Sequence, residues 1–230
     1  MRRTVPIFVA VLMMLAGTSA ALAYGKEKGM KVWKVKDLAM SGAEKIELRD
    51  EREKLIRILD GRQMALLYAV EAGIEEAANL HADFYIVDEE PPNAFATIGK
   101  DGEYLIAFTF GMLDMVGRDV DVAAAIIGHE LAHLKLKHVE AKKEAQKSGS
   151  PSTSFSAAAT KYTRDAERDS DYLGVIWAIE AGYDPEGAVR AHEALYKIGK
   201  RRGGSFTGSH PSSIGRITVL KSLVRRLSPR

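Results

Sequence analysis

Asp119-Val120-Asp121-Val122-Ala123-Ala124-Ala125-Ile126-Ile127-Gly128-His129-Glu130-Leu131-Ala132-His133-Leu134 is the stretch on which the fold turns. Its spacing predicts a helix over 119–138, apolar on nearly every side, which places it in the interior. Three ionisable residues stand together within it. His129 and His133 are four apart, so their imidazoles leave one helix face a turn apart and can grip a single metal ion. Glu130 falls beside them. The competing reading is a pair of core histidines satisfied by ordinary hydrogen bonds. It must bury three polar groups in an apolar interior, which costs on the order of several kcal/mol if they lack partners. A bound cation removes that cost.

Such a site needs a third protein donor. The metzincin continuation, a glycine and then a third histidine, is absent, because Leu136 and Val139 hold those positions. His138, five residues past His133, points round the helix and reads as a surface or packing residue. A glutamate from a later helix is the alternative. Glu167 and Asp171 lie one turn apart in the helical run 162–181, so both can face the motif helix, whereas Asp165 and Asp169 fall on other faces. If Glu167 binds the metal, Asp171 is placed to accept a hydrogen bond from a ligand imidazole and fix its tautomer. The donor types suit zinc, one Zn2+ per chain.

Outward from this helix, Phe84-Tyr85-Ile86-Val87, Ala94-Phe95-Ala96-Thr97-Ile98 and Tyr104-Leu105-Ile106-Ala107-Phe108 read as strands. Glu90-Pro91-Pro92-Asn93 and Lys100-Asp101-Gly102 supply the turns between them. Ser41-Gly42-Ala43-Glu44 resembles a capping box, so a helix is expected from Gly42 through Ile46, Leu48, Leu55, Ile56 and Leu59. Asp60-Gly61 should interrupt it before a second helical run through Met64, Leu67 and Val70. The polar stretch 142–160, with Ser148-Gly149-Ser150-Pro151, reads as a flexible linker or lid. Gly182 should close the helix 162–181, and Asp184-Pro185 should start the next. A last amphipathic helix is expected from Ser213. The fold class is α+β, predominantly α-helical, with a small, partly antiparallel sheet.

The chain opens with Met1-Arg2-Arg3, an apolar stretch over 5–16, and then Ala21-Leu22-Ala23, the order of a secretory signal peptide cleaved after Ala23. The expectation is a signal peptide at 1–23 and one domain at 24–230 in the periplasm or secreted. An anchor through an uncleaved N-terminus is the less favoured alternative. Loss of Arg2 and Arg3 takes the formal net charge from +2 to about zero, which argues against nucleic acid as a partner. Cysteine is absent, so no disulfide stabilises an exported form. Lys200, Arg201, Arg202, Arg216, Lys221, Arg225, Arg226 and Arg230 make the C-terminal region basic. A solvated face is the favoured reading, with peripheral contact to an anionic membrane surface as the alternative.

Several ordered motifs together resemble one family. Gly128-His129-Glu130-Leu131-Ala132-His133, Glu167-Arg168-Asp169-Ser170-Asp171 and Ala181-Gly182-Tyr183-Asp184-Pro185 look like the HtpX-like, CAAX-prenyl-protease-type zinc metallopeptidases of gluzincin type. Asn93-Ala94-Phe95, His210-Pro211 and Arg216-Ile217 resemble its other signatures. The resemblance implies a gluzincin-like metallopeptidase domain with His129, His133 and Glu167 on zinc and Glu130 as general base. Asp171 would support the site. His210 would stand near the transition-state oxyanion or, unprotonated, occupy the open metal position. Asn93, Ala94 and Phe95 would lie on an edge where an extended substrate adds as a strand. The implied activity is an endopeptidase for exported, unfolded or misassembled envelope proteins. The alternative is a zinc-stabilised chaperone or adaptor with little turnover.

Overall fold

In the computed structural model, which describes residues 31–147, 153–201, 210 and 213–227, the chain begins with β1 (Val32–Lys34) and α1 (Val35–Met40). A hairpin of β2 (Lys45–Arg49) and β3 (Leu55–Asp60) leads to α2 (Gly61–Ala78). Strands β4 (Asp83–Val87), β5 (Ala94–Ile98) and β6 (Tyr104–Thr109) follow, then helices α3 (Phe110–Val116), α4 (Val120–Lys135), α5 (His138–Lys147), α6 (Thr153–Glu180), α7 (Glu186–Arg201) and α8 (Ile214–Leu227). The architecture is α+β. Among the described residues no helix is long and apolar enough to cross a membrane.

The main sheet has the order β1-β4-β6-β5, with β4 and β6 parallel and the other pairs antiparallel. Alternation along the strands gives it two apolar faces. Phe84, Ile86, Ile106 and Phe108 join the core with α2 and α4, while Tyr85, Val87, Leu105 and Ala107 pack with Val32 on the other side. Helix α4 sits inside, as its apolar circumference requires, and every residue from Val122 to Leu134 is buried. Asp119 caps it, its carboxylate accepting from Val122 N at 3.1 Å.

The region 42–59 overturns the expected helix. Ile46 and Leu48 point inward while Lys45 and Arg49 are exposed, the period-two pattern of a strand. The reversal comes at Asp50, whose Oδ1 accepts from the backbone N–H of both Arg52 and Lys54, with Glu53 at φ 61°. Ser41 ends a helix instead of starting one. Asp60 likewise opens α2, its carboxylate accepting from Arg62 N at 2.9 Å. The polar stretch 142–160 is helical at both ends, in α5 and from Thr153 onward, and 148–152 lie outside the described residues. The signal peptide expected at 1–23 also lies outside them.

Glu71 of α2 is buried against β4, and among the described residues its Oε2 has no hydrogen-bond partner. Burial, with Glu75 and Asp83 adding repulsion, pushes its carboxyl from 4.5 up to about 8. The folded-state pKa therefore exceeds the unfolded one. Its contribution is fully present below pH 4.5 and is lost as pH rises through about 8, a loss of up to about 5 kcal/mol. Glu71→Gln should remove most of that decline, measured as urea unfolding free energies at pH 5 and pH 8.5. An unchanged pH slope in the variant would assign the loss to other groups.

Candidate metal centre

Two glycines set the distance between the helices that carry the site. A Cβ on Gly128 of α4 would stand 3.0 Å from the Gly174 backbone, and one on Gly174 of α6 would stand 2.8 Å from His129 N. Only glycine at both positions lets the helix backbones touch. Asp171 and Glu167 precede Gly174 by one and two turns on the same side of α6, so the contact brings both carboxylates to the histidines of α4. Gly174→Ala should push α6 away, destabilising the fold by about 1–3 kcal/mol. It should also lower zinc affinity, read by competition with a chromogenic chelator. Unaltered affinity would separate the helix contact from the site.

His129, His133, Glu167 and His210 form one cluster whose donor atoms all lie within 4.8 Å of one another. His129 Nε2 is 3.0 Å from His133 Nε2 and 3.3 Å from His210 Nδ1. Glu167 Oε1 is 2.8 Å from His210 Nδ1 and 3.5 Å from His133 Nε2, and Glu167 Oε2 is 3.5 Å from His129 Nε2. Four donors at about 2.0–2.1 Å from a tetrahedral zinc stand about 3.3 Å apart. The observed spacings bracket that figure. Nitrogen lone pairs and a carboxylate converging on one point repel unless a cation lies between them, so the donor set fits zinc. Charge agrees, because the carboxylates of Glu130, Glu167 and Asp171 gather around the donors together with the guanidinium of Arg216.

Burial opposes protonation of His129, but Asp171 and Glu167 outweigh it and hold the ring up at about 10. Burial and the neighbouring imidazoles push His133 far down. Burial would raise Glu167, yet the imidazoles of His129 and His210 hold it well below the usual carboxylate range. Glu130 is 1% exposed; its Oε1 is 3.5 Å from His210 Nε2, and among the described residues its Oε2 has no hydrogen-bond partner. A buried carboxylate oxygen with no partner beside the donor cluster is a proton acceptor in waiting.

Asp171 lies where its spacing placed it, with Oδ1 2.9 Å from His129 Nδ1, although off the hydrogen-bonding direction of that nitrogen. Four residues join the site against expectation. His138 does not point away: α4 ends at Leu136, Lys137 adopts φ 58°, and the turn brings His138 Nδ1 to 3.1 Å from His133 Nδ1. Ser170 Oγ lies 3.4 Å from the same His138 nitrogen. Arg216 does not belong to a solvated face. Its guanidinium donates to both Asp171 oxygens at 3.0 and 2.6 Å and to Glu167 Oε2 at 2.7 Å. His192 of α7 is buried with Nε2 3.4 Å from Asp171 Oδ1. The signal for Arg216 was the resemblance of Arg216-Ile217 to a family signature, which names the residue without giving its partners.

Asn93 and Ala94 line the same cavity as His129 and Glu130. Thr109 positions them: its Oγ1 accepts from Asn93 N at 2.9 Å and donates to Pro91 O at 2.8 Å. Phe95 points to the other face of the sheet, packing with Tyr85, Val87 and Leu105, so only its backbone is on the cleft strand.

The family model described as Peptidase family M48 matches residues 61–157 and 139–224. The chain is 26% identical over 226 residues to mitochondrial metalloendopeptidase OMA1 of Arabidopsis thaliana, across 89% of this chain and 44% of that protein. It is 36% identical over 85 residues to a protease HtpX homolog of Thermococcus kodakarensis, across 36% of this chain and 28% of that protein. With mitochondrial metalloendopeptidase OMA1 of Schizosaccharomyces pombe it shares 27% identity over 165 residues, across 63% and 47% of the two chains. The chain spans less than half the length of these curated relatives.

Proposed function

This chain belongs to peptidase family M48, and from that membership we propose that it is a zinc-dependent endopeptidase acting on unfolded or misassembled exported proteins of the cell envelope. The observation that carries the reading is the buried Oε2 of Glu130, without a hydrogen-bond partner among the described residues, beside four convergent donors. A zinc ion held by His129, His133 and Glu167 would supply Lewis acidity, polarising a scissile carbonyl and making water acidic near neutral pH. Glu130 accepts the proton of the attacking water and then carries it to the leaving amine. Asp171 holds the His129 ring in orientation from its far side, and Arg216 holds Asp171 and Glu167 in place.

Strand β5 supplies a recognition surface that suits an extended, unfolded segment. It ends the described strand order, and the bonds from Thr109 N to Asn93 O and from Gly99 N to Glu103 O set its phase. Residues 93, 95, 97 and 99 turn their backbone groups to β6, so Ala96 turns its own the other way, toward an incoming strand. Export to the periplasm through residues 1–23 belongs to the same proposal, and Tyr24 as the mature N-terminus tests it.

His210 supports a second reading of the same site. Its Nδ1 lies among the metal donors, so it can complete the metal set in a latent form or move to donate at the oxyanion. With latency, His210→Ala should cut faster and bind zinc less tightly. With oxyanion stabilisation, kcat should fall by about 10²-fold. No change in turnover or zinc affinity would overturn both.

The substrate class is tested by trapping. Zinc-loaded Glu130→Gln should retain exported, unfolded proteins that the wild type degrades. A chaperone or adaptor role would instead give wild type and variant the same captured proteins, uncut by either.

A further inference from the structure

His138 stands beside the donor cluster and has as yet no part in its chemistry. Had α4 continued, five further residues would have carried His138 about 140° round the helix from His133. The helix stops at Leu136 instead. Lys137, at φ 58°, turns the chain so that α5 starts on His138 itself, with Lys137 O accepting from Ala141 N at 3.1 Å. A lysine is seldom held in that left-handed backbone region, which costs free energy. What the turn secures is a contact between two ring nitrogens, His138 Nδ1 and His133 Nδ1, at 3.1 Å. The rings are inclined at 69° with centroids 5.1 Å apart, so their edges meet and their faces do not.

Proton counting decides what that contact is. Two bare nitrogens at this distance repel, and so do two that each carry hydrogen; a single proton between them makes a hydrogen bond. His133 directs Nε2 into the donor cluster, 3.0 Å from His129 Nε2 and 3.5 Å from Glu167 Oε1. A neutral imidazole that offers Nε2 as a ligand keeps its proton on Nδ1. His133 is therefore the donor, and His138 Nδ1 accepts. Ser170, fully buried on α6, places its Oγ 3.4 Å from the same His138 nitrogen and so flanks the accepting edge of the ring.

We infer that His138 is a positioning residue of the metal centre: it accepts the Nδ1 proton of His133 and thereby fixes the tautomer and the direction in which that imidazole presents Nε2. The inference rests on reading the cluster as the zinc centre of an endopeptidase. The two ligand histidines are then held by different means, His129 beside the Asp171 carboxylate and His133 by a second imidazole. An imidazole acceptor aims the ring without the added basicity that a carboxylate confers.

The test compares three full-length variants by zinc affinity, read by competition with a chromogenic chelator. Asparagine carries its amide oxygen at the place of the histidine Nδ1, and glutamine carries its own nearer the place of Nε2. Leucine fills the space with no acceptor. His138→Leu and His138→Gln should each lose about 10–100-fold in zinc affinity, and His138→Asn should recover most of it. Cobalt-loaded His138→Leu should show shifted visible bands, while His138→Asn keeps those of the wild type. Thermal melts of the zinc-free proteins verify folding, and if His138→Leu does not fold, the order of Asn over Gln decides. Zinc binding as tight in a folded His138→Leu as in His138→Asn, or equal in Asn and Gln, would overturn the role and leave His138 as packing. Casein cleavage separates the two claims. Affinity in the expected order with no casein cut keeps His138 as the positioning residue and sinks the endopeptidase reading. Zinc-dependent cleavage with the same zinc affinity in every variant does the reverse.

Discussion

Glu130→Gln is expected to lower kcat by about 10²–10⁴-fold while zinc content and the thermal midpoint stay close to wild type. Glutamine keeps the shape of the side chain but cannot accept a proton at neutral pH. Oε1 of Glu130 contacts only His210 at 3.5 Å among the ion-pair distances, and Oε2 has no hydrogen-bond partner among the described residues. Little structure therefore depends on the carboxylate. A residue in that position, buried inside α4 and directed at the donors, is costly to keep unless its proton affinity is used. Loss of zinc in the variant would make Glu130 a ligand; retention of full turnover would remove it from the chemistry.

Arg216→Met should cost about 3–5 kcal/mol of stability in the zinc-free protein. Methionine approximates the length of the side chain but leaves Asp171 and Glu167, both buried, without their shared cation. Burial already works against Asp171, and the nearby His129 and His192 imidazoles together with the Arg216 guanidinium hold its carboxyl well below the usual range. With zinc bound, the ion neutralises part of the same negative charge, so the loss should shrink. Chemical denaturation with and without zinc measures both values. Equal losses in the two states would mean that the guanidinium and the metal do not share the carboxylates. Arg216→Lys should fall between the two, because an ammonium cannot reproduce the two-pronged contact with Asp171.

How much of this was legible depended on whether local spacing determined the outcome. His129, Glu130 and His133 were readable because a helix fixes which residues share a face, and Glu167 with Asp171 for the same reason. The helix holding them was itself evident from its apolar run. Arg216 was singled out by the family resemblance alone: its partners come from α6, and nothing in the spacing of α8 distinguishes a buried arginine from Arg225 or Arg226. His138 was misplaced by extending α4 past its end, and the left-handed Lys137 that ends it is not a glycine or asparagine. In 45–59, Ile46, Leu48 and Leu59 fit a helical and an alternating pattern about equally. The side chain of Asp50, bonding two backbone N–H groups, decides for the hairpin. Phe95 adjoins two cleft residues in sequence yet faces away from the cleft, as alternation along a strand requires.

The most direct measurement is hydrolysis of unfolded casein by the purified chain after chelation, followed by addition of one equivalent of zinc. Cleavage should be absent in the stripped protein, return with zinc, and not return in Glu130→Gln carrying the same zinc. Zinc-loaded wild type that leaves casein intact, indistinguishable from Glu130→Gln, would contradict an endopeptidase built on His129, His133, Glu167 and Glu130.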